Sequence, residues 1–195
     1  MRIGLAGIGR MGAAIASRLM ACGHDLSVWN RTPEKTAPLS AAGATVAVTP
    51  AALARESQLV ITILTDAAAI EAVYYASEGL LAGVAQGAFV LEMSTVRPEV
   101  KQKLGVVLAA RRAALVDCPV GGSTEAALGG KLFGFAGGDA ADLEHVRPVL
   151  DQLCRRVEHV GAVGAGASMK LAINLPLLVF WQALGEALAL CRPLG

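Results

Sequence analysis

The sequence predicts a doubly wound α/β fold, a mostly parallel sheet with helices on both faces, followed by one long helix. Three observations carry this expectation. Short apolar runs alternate with segments of helical period along most of the chain, the βαβ rhythm of parallel strands joined by right-handed crossovers. Apolar residues make up 54% of the 195 residues, Ala and Gly are prominent, and aromatics are only 4%; strands covered on both faces have this character. Finally, the first apolar run feeds straight into a glycine-rich turn and then a helical segment.

In chain order, strands are expected at Arg2–Ala6, Asp25–Trp29, Thr45–Val46, Leu59–Ile63, Phe89–Met93 and Ala114–Asp117. Helices are expected between them at Met11–Cys22, Glu34–Ala42, Pro50–Arg55, Ala67–Tyr74 and Glu99–Arg112. Two further strands, Leu132–Ala136 and Arg156–His159, bracket a helix from Ala140 to Leu153. Gly161-Ala-Val-Gly164-Ala-Gly166 then interrupts the alternation, and a long helix runs from about Ala167 towards Arg192. This divides the chain into a first domain, residues 1–163, and a helical segment, residues 164–195.

Composition narrows the function classes. The net charge is +1 with both signs interspersed, so no nucleic-acid or acidic partner is indicated. The four cysteines, Cys22, Cys118, Cys154 and Cys191, form no CxxC pair and follow no secretory segment. A reduced, cytoplasmic protein is expected, each thiol serving as a small buried hydrophobe, and no residues with metal-ligand spacing stand out. Leu171–Cys191 is apolar enough to resemble a membrane span, but Asn174, Pro176, Gln182 and Glu186 interrupt it and no basic flank orients it. A helix packed against protein on nearly all sides is expected instead. The chain stops just as that helix ends, so a further domain or a second chain is expected to cover it.

The turn reads Gly7-Ile8-Gly9-Arg10-Met11-Gly12 between a strand and a helix, the arrangement of a dinucleotide site. Gly7 permits the tight turn, Gly9 lets the backbone approach a pyrophosphate, and Gly12 lets helix and strand pack closely. The N–H groups opening the helix face the phosphate charge. At the end of the second strand, where a carboxylate would select NAD, stands Asn30-Arg31-Thr32. A 2′-phosphate would meet no repulsion there, and Arg31 offers a planar fork of donors, so NADP is favoured with NAD possible. The alternative is an ordinary surface arginine before Pro33.

Three other motifs carry chemistry. Glu92-Met-Ser94-Thr95 ends a strand at the carboxyl edge of the sheet; its hydroxyls suit a nicotinamide amide or a substrate, or a cap on the helix after Pro98. Asp117-Cys-Pro-Val-Gly121-Gly122-Ser123 is a loop whose N–H groups could hold a carboxylate, or simply make a turn. Lys170 and Asn174, spaced i, i+4 after Gly164 and Gly166, share one helical face. A lysine near the start of so apolar a helix is costly unless paired or working, and a desolvated ammonium is a natural proton donor to a developing alkoxide. The alternative is a lysine that snorkels to water.

Together these motifs, in order along essentially the whole chain, resemble the β-hydroxyacid dehydrogenase family, which includes 3-hydroxyisobutyrate dehydrogenase, glyoxylate/succinic semialdehyde reductase and tartronate semialdehyde reductase. Gly23-His24, Pro98, Gly137-Gly138 and Glu186-Ala187 add to the likeness. The resemblance implies a Rossmann-type fold, a homo-oligomer (dimer or higher), and reversible hydride transfer between NADP and a small β-hydroxy acid or its (semi)aldehyde. It implies Lys170 as general acid/base and Asn174 as its aid in orienting substrate. Gly7 to Gly12, Asn30 to Thr32, Leu64, Thr65, Ser94 and Thr95 would meet the cofactor, and Ser94, Gly121, Gly122 and Ser123 the substrate. The chain departs from the family where Gly121 replaces a serine, whose hydroxyl Ser123 is expected to resupply, and where Ile173 precedes a single Asn174. Members also continue about a hundred residues further into an all-helical domain, so the chain reads as shortened. An imine reductase on the same scaffold, or an inactive NADP-binding interaction module, are the alternatives; retained Lys170 speaks against the first.

Overall fold

The structure is a computed structural model that describes residues 1–192; the last three residues of the expected 164–195 segment lie outside the described residues. Strand β1 (Arg2–Ala6) leads into α1 (Arg10–Ala21), then β2 (Asp25–Trp29), a 3-10 turn (Pro33–Thr36), α2 (Ala37–Ala41) and β3 (Thr45–Val46). There follow α3 (Pro50–Glu56), β4 (Leu59–Thr62), α4 (Ala67–Tyr75), α5 (Leu80–Gly83), β5 (Phe89–Glu92), α6 (Pro98–Ala109) and β6 (Ala114–Asp117). The last elements are β7 (Val120–Gly121), α7 (Thr124–Leu128), β8 (Leu132–Gly137), α8 (Ala140–Leu153), β9 (Cys154–Gly161) and α9 (Ala165–Cys191).

All the expected strands form, and the sheet runs β3-β2-β1-β4-β5-β6 in parallel before β8 pairs antiparallel to β6 and β7. β9 completes it, parallel to β8. The order reverses between β1 and β4, and ligands of open α/β sheets bind outside the carboxyl ends of the strands at such a switch point.

Strand alternation divides the core into two layers. Ile3, Leu5, Leu59, Ile61 and Leu91 pack beneath α1 and α8, against Ile15, Leu19, Val146 and Leu150. Ala6, Val60, Val90 and Leu115 face the other way, onto Leu53, Ile70, Tyr74, Leu104 and Leu108 of α3, α4 and α6. An isolated helix shorter than about 12 residues is marginal in water. The seven-residue α3 therefore owes its existence to its buried Leu53 and Ala54, to Pro50 in the first turn, and to Thr49, whose hydroxyl accepts Ala52 N–H at 3.1 Å.

Several expectations change. The helix expected over Glu34–Ala42 splits into the 3-10 turn and α2, and β7, α5 and α7, all of five residues or fewer, were too short for periodicity to reveal. Only Cys118 and Cys154 are buried; Cys22 is half-buried and Cys191 exposed. The largest difference concerns α9. It is long and apolar enough to cross a membrane, yet it is not packed on nearly all sides: Gly166 and Ala167 are its only buried residues. Beyond its opening turns the helix runs clear of the sheet, so Leu175, Trp181 and Leu190 stand 65%, 59% and 81% exposed.

The turn between β1 and α1 is the tightest approach in the fold. Gly7 has φ of 105°, in the left-handed region that only glycine adopts freely. A Cβ on Gly12 would collide with the Gly7 carbonyl oxygen, and one on Gly7 with the carbonyl of Ile63. Gly12→Ala should therefore destabilise the domain by about 1–3 kcal/mol, the usual range for overpacking. Urea unfolding of the variant checks this, and an unchanged midpoint would show that α1 can shift freely.

Candidate functional site

The groove at the carboxyl edge begins at the glycine turn. The Gly7 N–H donates to the Trp29 carbonyl at 3.0 Å, fastening the turn to the end of β2. Asn30 completes the fastening: its Oδ1 accepts Ile8 N–H at 2.9 Å and its Nδ2 donates to the Thr32 carbonyl at 2.9 Å. Asn30 thus shapes the site through its amide, and the Ile8 N–H is already spent. Helix α1 has no side-chain cap and no acidic residue in its first turn, so its opening N–H groups remain available to an anion. A Cβ on Gly9 would meet nothing within 4 Å; the backbone there borders open space that a ligand can enter.

Two clefts meet at this turn. One, of about 320 Å³, is walled by Gly7 and Gly9, by Asn30, Arg31, Thr32 and Lys35, and by Ile63, Leu64 and Thr65. The other, of about 510 Å³, runs along Gly9, Arg10, Met11 and Gly12 to Leu64, Thr65, Ser123 and Thr124. Gly9, Leu64 and Thr65 border both, which makes one continuous groove over the switch point. Lys35 is a second cation beside Arg31 that sequence reasoning missed; its place one turn beyond Arg31 was the available signal.

Ser94 sits differently from its expectation. It is buried, its hydroxyl donates to Glu92 Oε1, and its Oγ accepts Leu64 N–H at 2.7 Å. The side chain therefore holds the Leu64–Thr65 wall from behind, while Thr95 is exposed. Neither caps α6, whose N-cap is Arg97 with no side-chain hydrogen bond.

Behind Ser94 lies a cluster that sequence reasoning did not find. Parallel register sets Glu92 beside Asp117 at the ends of β5 and β6, and both carboxylates are fully buried. Lys101, on α6 and equally buried, forms an ion pair with Glu92 Oε2, reaches Asp117 Oδ1 at 3.3 Å and donates to the Glu92 carbonyl at 3.2 Å. Burial presses the ammonium's pKa down, to about 8, against the opposing pull of Asp117. Glu92 Oε1 also takes Ser94 N–H at 3.0 Å and the Thr62 hydroxyl at 3.3 Å. Asp117 Oδ2 accepts the N–H groups of Gly164 and Ala167, both at 3.0 Å, so a carboxylate from the sheet caps α9, whose own N-cap Gly164 supplies none.

That capped turn presents Lys170. Its ammonium is half-buried, and desolvation lowers its pKa from the ordinary lysine value of 10.5. Among the described residues it forms no ion pair. A Cβ at position 121 would lie 3.8 Å from Lys170 Nζ, so the Gly121–Gly122 loop runs directly beside the ammonium. Asn174 lies one turn further along α9, half-buried. Ser123 borders the groove at the glycine turn and caps α7, its hydroxyl accepting Ala126 N–H at 3.3 Å. Loop 121–124 thus spans from Lys170 at one end to the groove at the other. The edge combines a glycine turn whose helix start has no side-chain cap, two cations beside it, and one partly desolvated ammonium without an ion-pair partner among the described residues.

Residues 2–161 match the family model described as the NAD binding domain of 6-phosphogluconate dehydrogenase. An NAD-dependent L-serine dehydrogenase of Pseudomonas aeruginosa is 35% identical over 189 residues, covering 97% of this chain and 63% of that protein. Glyoxylate/succinic semialdehyde reductase 1 of Arabidopsis thaliana is 34% identical over 195 residues, covering all of this chain and 68% of its own length. Among solved structures, Psf3 in complex with NADP+ and 2-OPP superposes with a TM-score of 0.87 at 32% identity, over 94% of this chain and 68% of that one. The chain therefore spans 63–68% of the length of these relatives.

Ser94→Ala tests the wall. It leaves the Leu64 N–H and Glu92 Oε1 each short of a partner, and should cost about 1–3 kcal/mol of stability while weakening dinucleotide binding. Chemical unfolding and fluorescence titration with NADPH read the two effects; full retention of both would show that the Leu64–Thr65 segment holds itself.

Proposed function

Because this chain belongs to the β-hydroxyacid dehydrogenase family, we propose that it catalyses reversible hydride transfer between NADP and a small β-hydroxy acid or the corresponding (semi)aldehyde. The reading rests on Lys170, half-buried, without an ion-pair partner among the described residues, and beside the Gly121 loop at the edge that carries the dinucleotide groove. The uncapped α1 N-terminus and the open space at Gly9 fit a pyrophosphate.

When bound, the nicotinamide supplies the hydride in reduction and accepts it in oxidation. In reduction Lys170 Nζ gives its proton to the carbonyl oxygen as negative charge develops there, and in oxidation it takes the proton back from the hydroxyl. Asn174, on the same helical face, orients that oxygen through its amide. The N–H groups of the Gly121–Gly122 loop hold the substrate carboxylate. Arg31 and Lys35 receive the 2′-phosphate, and no carboxylate at the end of β2 opposes it. Residues 1–163 serve as the dinucleotide-binding domain, and the helix after Gly164 brings the acid/base group to it. The exposed apolar face of α9 favours a homo-oligomer, and the four free cysteines a reduced, cytoplasmic setting.

The assay is NADPH oxidation over glyoxylate, succinic semialdehyde, tartronate semialdehyde and cyclic imines. Lys170→Ala should lower kcat for carbonyl reduction by about 10²–10⁴-fold, the range for a general acid. The wild-type reductive rate should fall as pH rises through a pKa below 10.5, because only the protonated ammonium donates. A variant as active as wild type ends this assignment, and reduction confined to imines favours the imine-reductase reading. NADPH binding without turnover of any of them favours a non-catalytic module.

Arg31→Ala should reduce the preference for NADP over NAD by about tenfold or more, the worth of one charge-assisted phosphate contact. Kd values for both cofactors measure it, and an unchanged ratio would leave Lys35 as the selecting cation.

A further inference from the structure

Two parts of the proposed site are fastened to carboxylates that Lys101 alone joins. On one side Glu92 Oε1 holds Ser94, and Ser94 holds Leu64, which lines the dinucleotide groove. On the other side Asp117 Oδ2 holds the N–H groups of Gly164 and Ala167, and Lys170 follows Ala167 within one turn. The remaining oxygens, Glu92 Oε2 and Asp117 Oδ1, are buried and, among the described residues, meet no polar partner besides the Lys101 ammonium. Gly166 fits this junction closely, since a Cβ there would lie 2.6 Å from the Asp117 carbonyl oxygen and would collide with that of Phe135. The first turn of α9 therefore cannot approach the sheet more closely, and the carboxylate keeps it from moving away.

We propose that Lys101 is a positioning residue for the reaction: its ammonium fixes the Asp117 carboxylate that anchors α9, and so sets where Lys170 Nζ stands relative to the dinucleotide groove. The role is electrostatic as well as steric. With Lys101 absent, two buried carboxylates lose the ammonium that joins them and repel each other. Asp117 is then no longer held in one place, and the turn of α9 that it anchors gains freedom. Glu92 Oε1 has three other donors, from Ser94 and Thr62, so the groove should change less than the helix. Acid/base chemistry tolerates little of this freedom, because a misplacement of about 1 Å can cost about 100-fold in rate. The proposal rests on the acid/base reading of Lys170, and its test separates the two.

The variant is Lys101→Met in the whole 195-residue chain, with amide hydrogen exchange, Lys170 reactivity and kinetics measured together. Exchange at Gly164 and Ala167 should quicken at least tenfold while amides of β1 and β4 stay as in wild type. Competitive acetylation read by mass spectrometry should show changed reactivity at Lys170. The Kd for NADPH should stay within about twofold while kcat falls by about 10–100-fold. A general loss of stability would instead raise exchange across the sheet and weaken NADPH binding in step, and that result overturns the proposal. So does an unchanged exchange rate at Gly164 and Ala167, or an unchanged kcat. If the wild-type chain turns over none of the substrates, the reading of Lys170 fails by itself, and exchange together with acetylation still decides whether Lys101 governs α9. If Lys101→Met does not fold, the pair Glu92→Gln/Lys101→Met removes equal and opposite charges and carries the same measurements.

Discussion

The Lys101 ammonium, enclosed at the carboxyl ends of β5 and β6, is the point at which the sheet, α6 and α9 are tied together by charge. Removing one partner from a buried ion pair typically costs about 3–5 kcal/mol, against a total domain stability of about 5–15 kcal/mol. A cluster of this kind is therefore something the neighbouring structure must be built around. Two carboxylates and one ammonium, all fully buried, leave an excess of one negative charge. That excess is met by N–H and O–H donors: Thr62 and Ser94 at Glu92, and the opening turn of α9 at Asp117. A helix N-terminus carries about half a positive elementary charge. The approach of α9 to the sheet at this spot thus follows from the charge balance as much as from apolar packing.

How much of this can be read from the sequence depends on whether a requirement is local. Gly7, Gly9 and Gly12 are legible because a turn, an open backbone and a close helix contact each exclude a side chain within six residues of chain. The central strands are legible because their residues alternate between two buried layers. The Glu92–Lys101–Asp117 cluster is not. Val100-Lys-Gln-Lys103 reads as the solvated face of an ordinary helix, and only the parallel register of β5 with β6 sets the two carboxylates side by side. Ser94 shows the same limit from the other direction. Its place at the edge is legible, but the direction of its hydroxyl depends on the Leu64 N–H, which belongs to another part of the chain. Likewise, apolar content alone gave α9 a buried setting, whereas the extent of its burial depends on how much surface surrounds it.

Lys101 and Lys170 differ in what surrounds them. Lys101 is fully buried, bracketed by two carboxylates and bonded to a main-chain carbonyl. Its ammonium joins the two carboxylates and lies out of contact with solvent, a setting suited to fastening. Lys170 has the opposite surroundings. It keeps contact with solvent, no carboxylate stabilises its charge among the described residues, and desolvation draws its pKa below the ordinary value. Desolvation eases the loss of its proton. Asp117 touches both the fastener and the helix: its Oδ1 meets Lys101, and its Oδ2 holds the N–H groups of Gly164 and of Ala167, three residues before Lys170. The charge that anchors the start of α9 is thereby carried by different side chains from the half-buried ammonium that α9 presents.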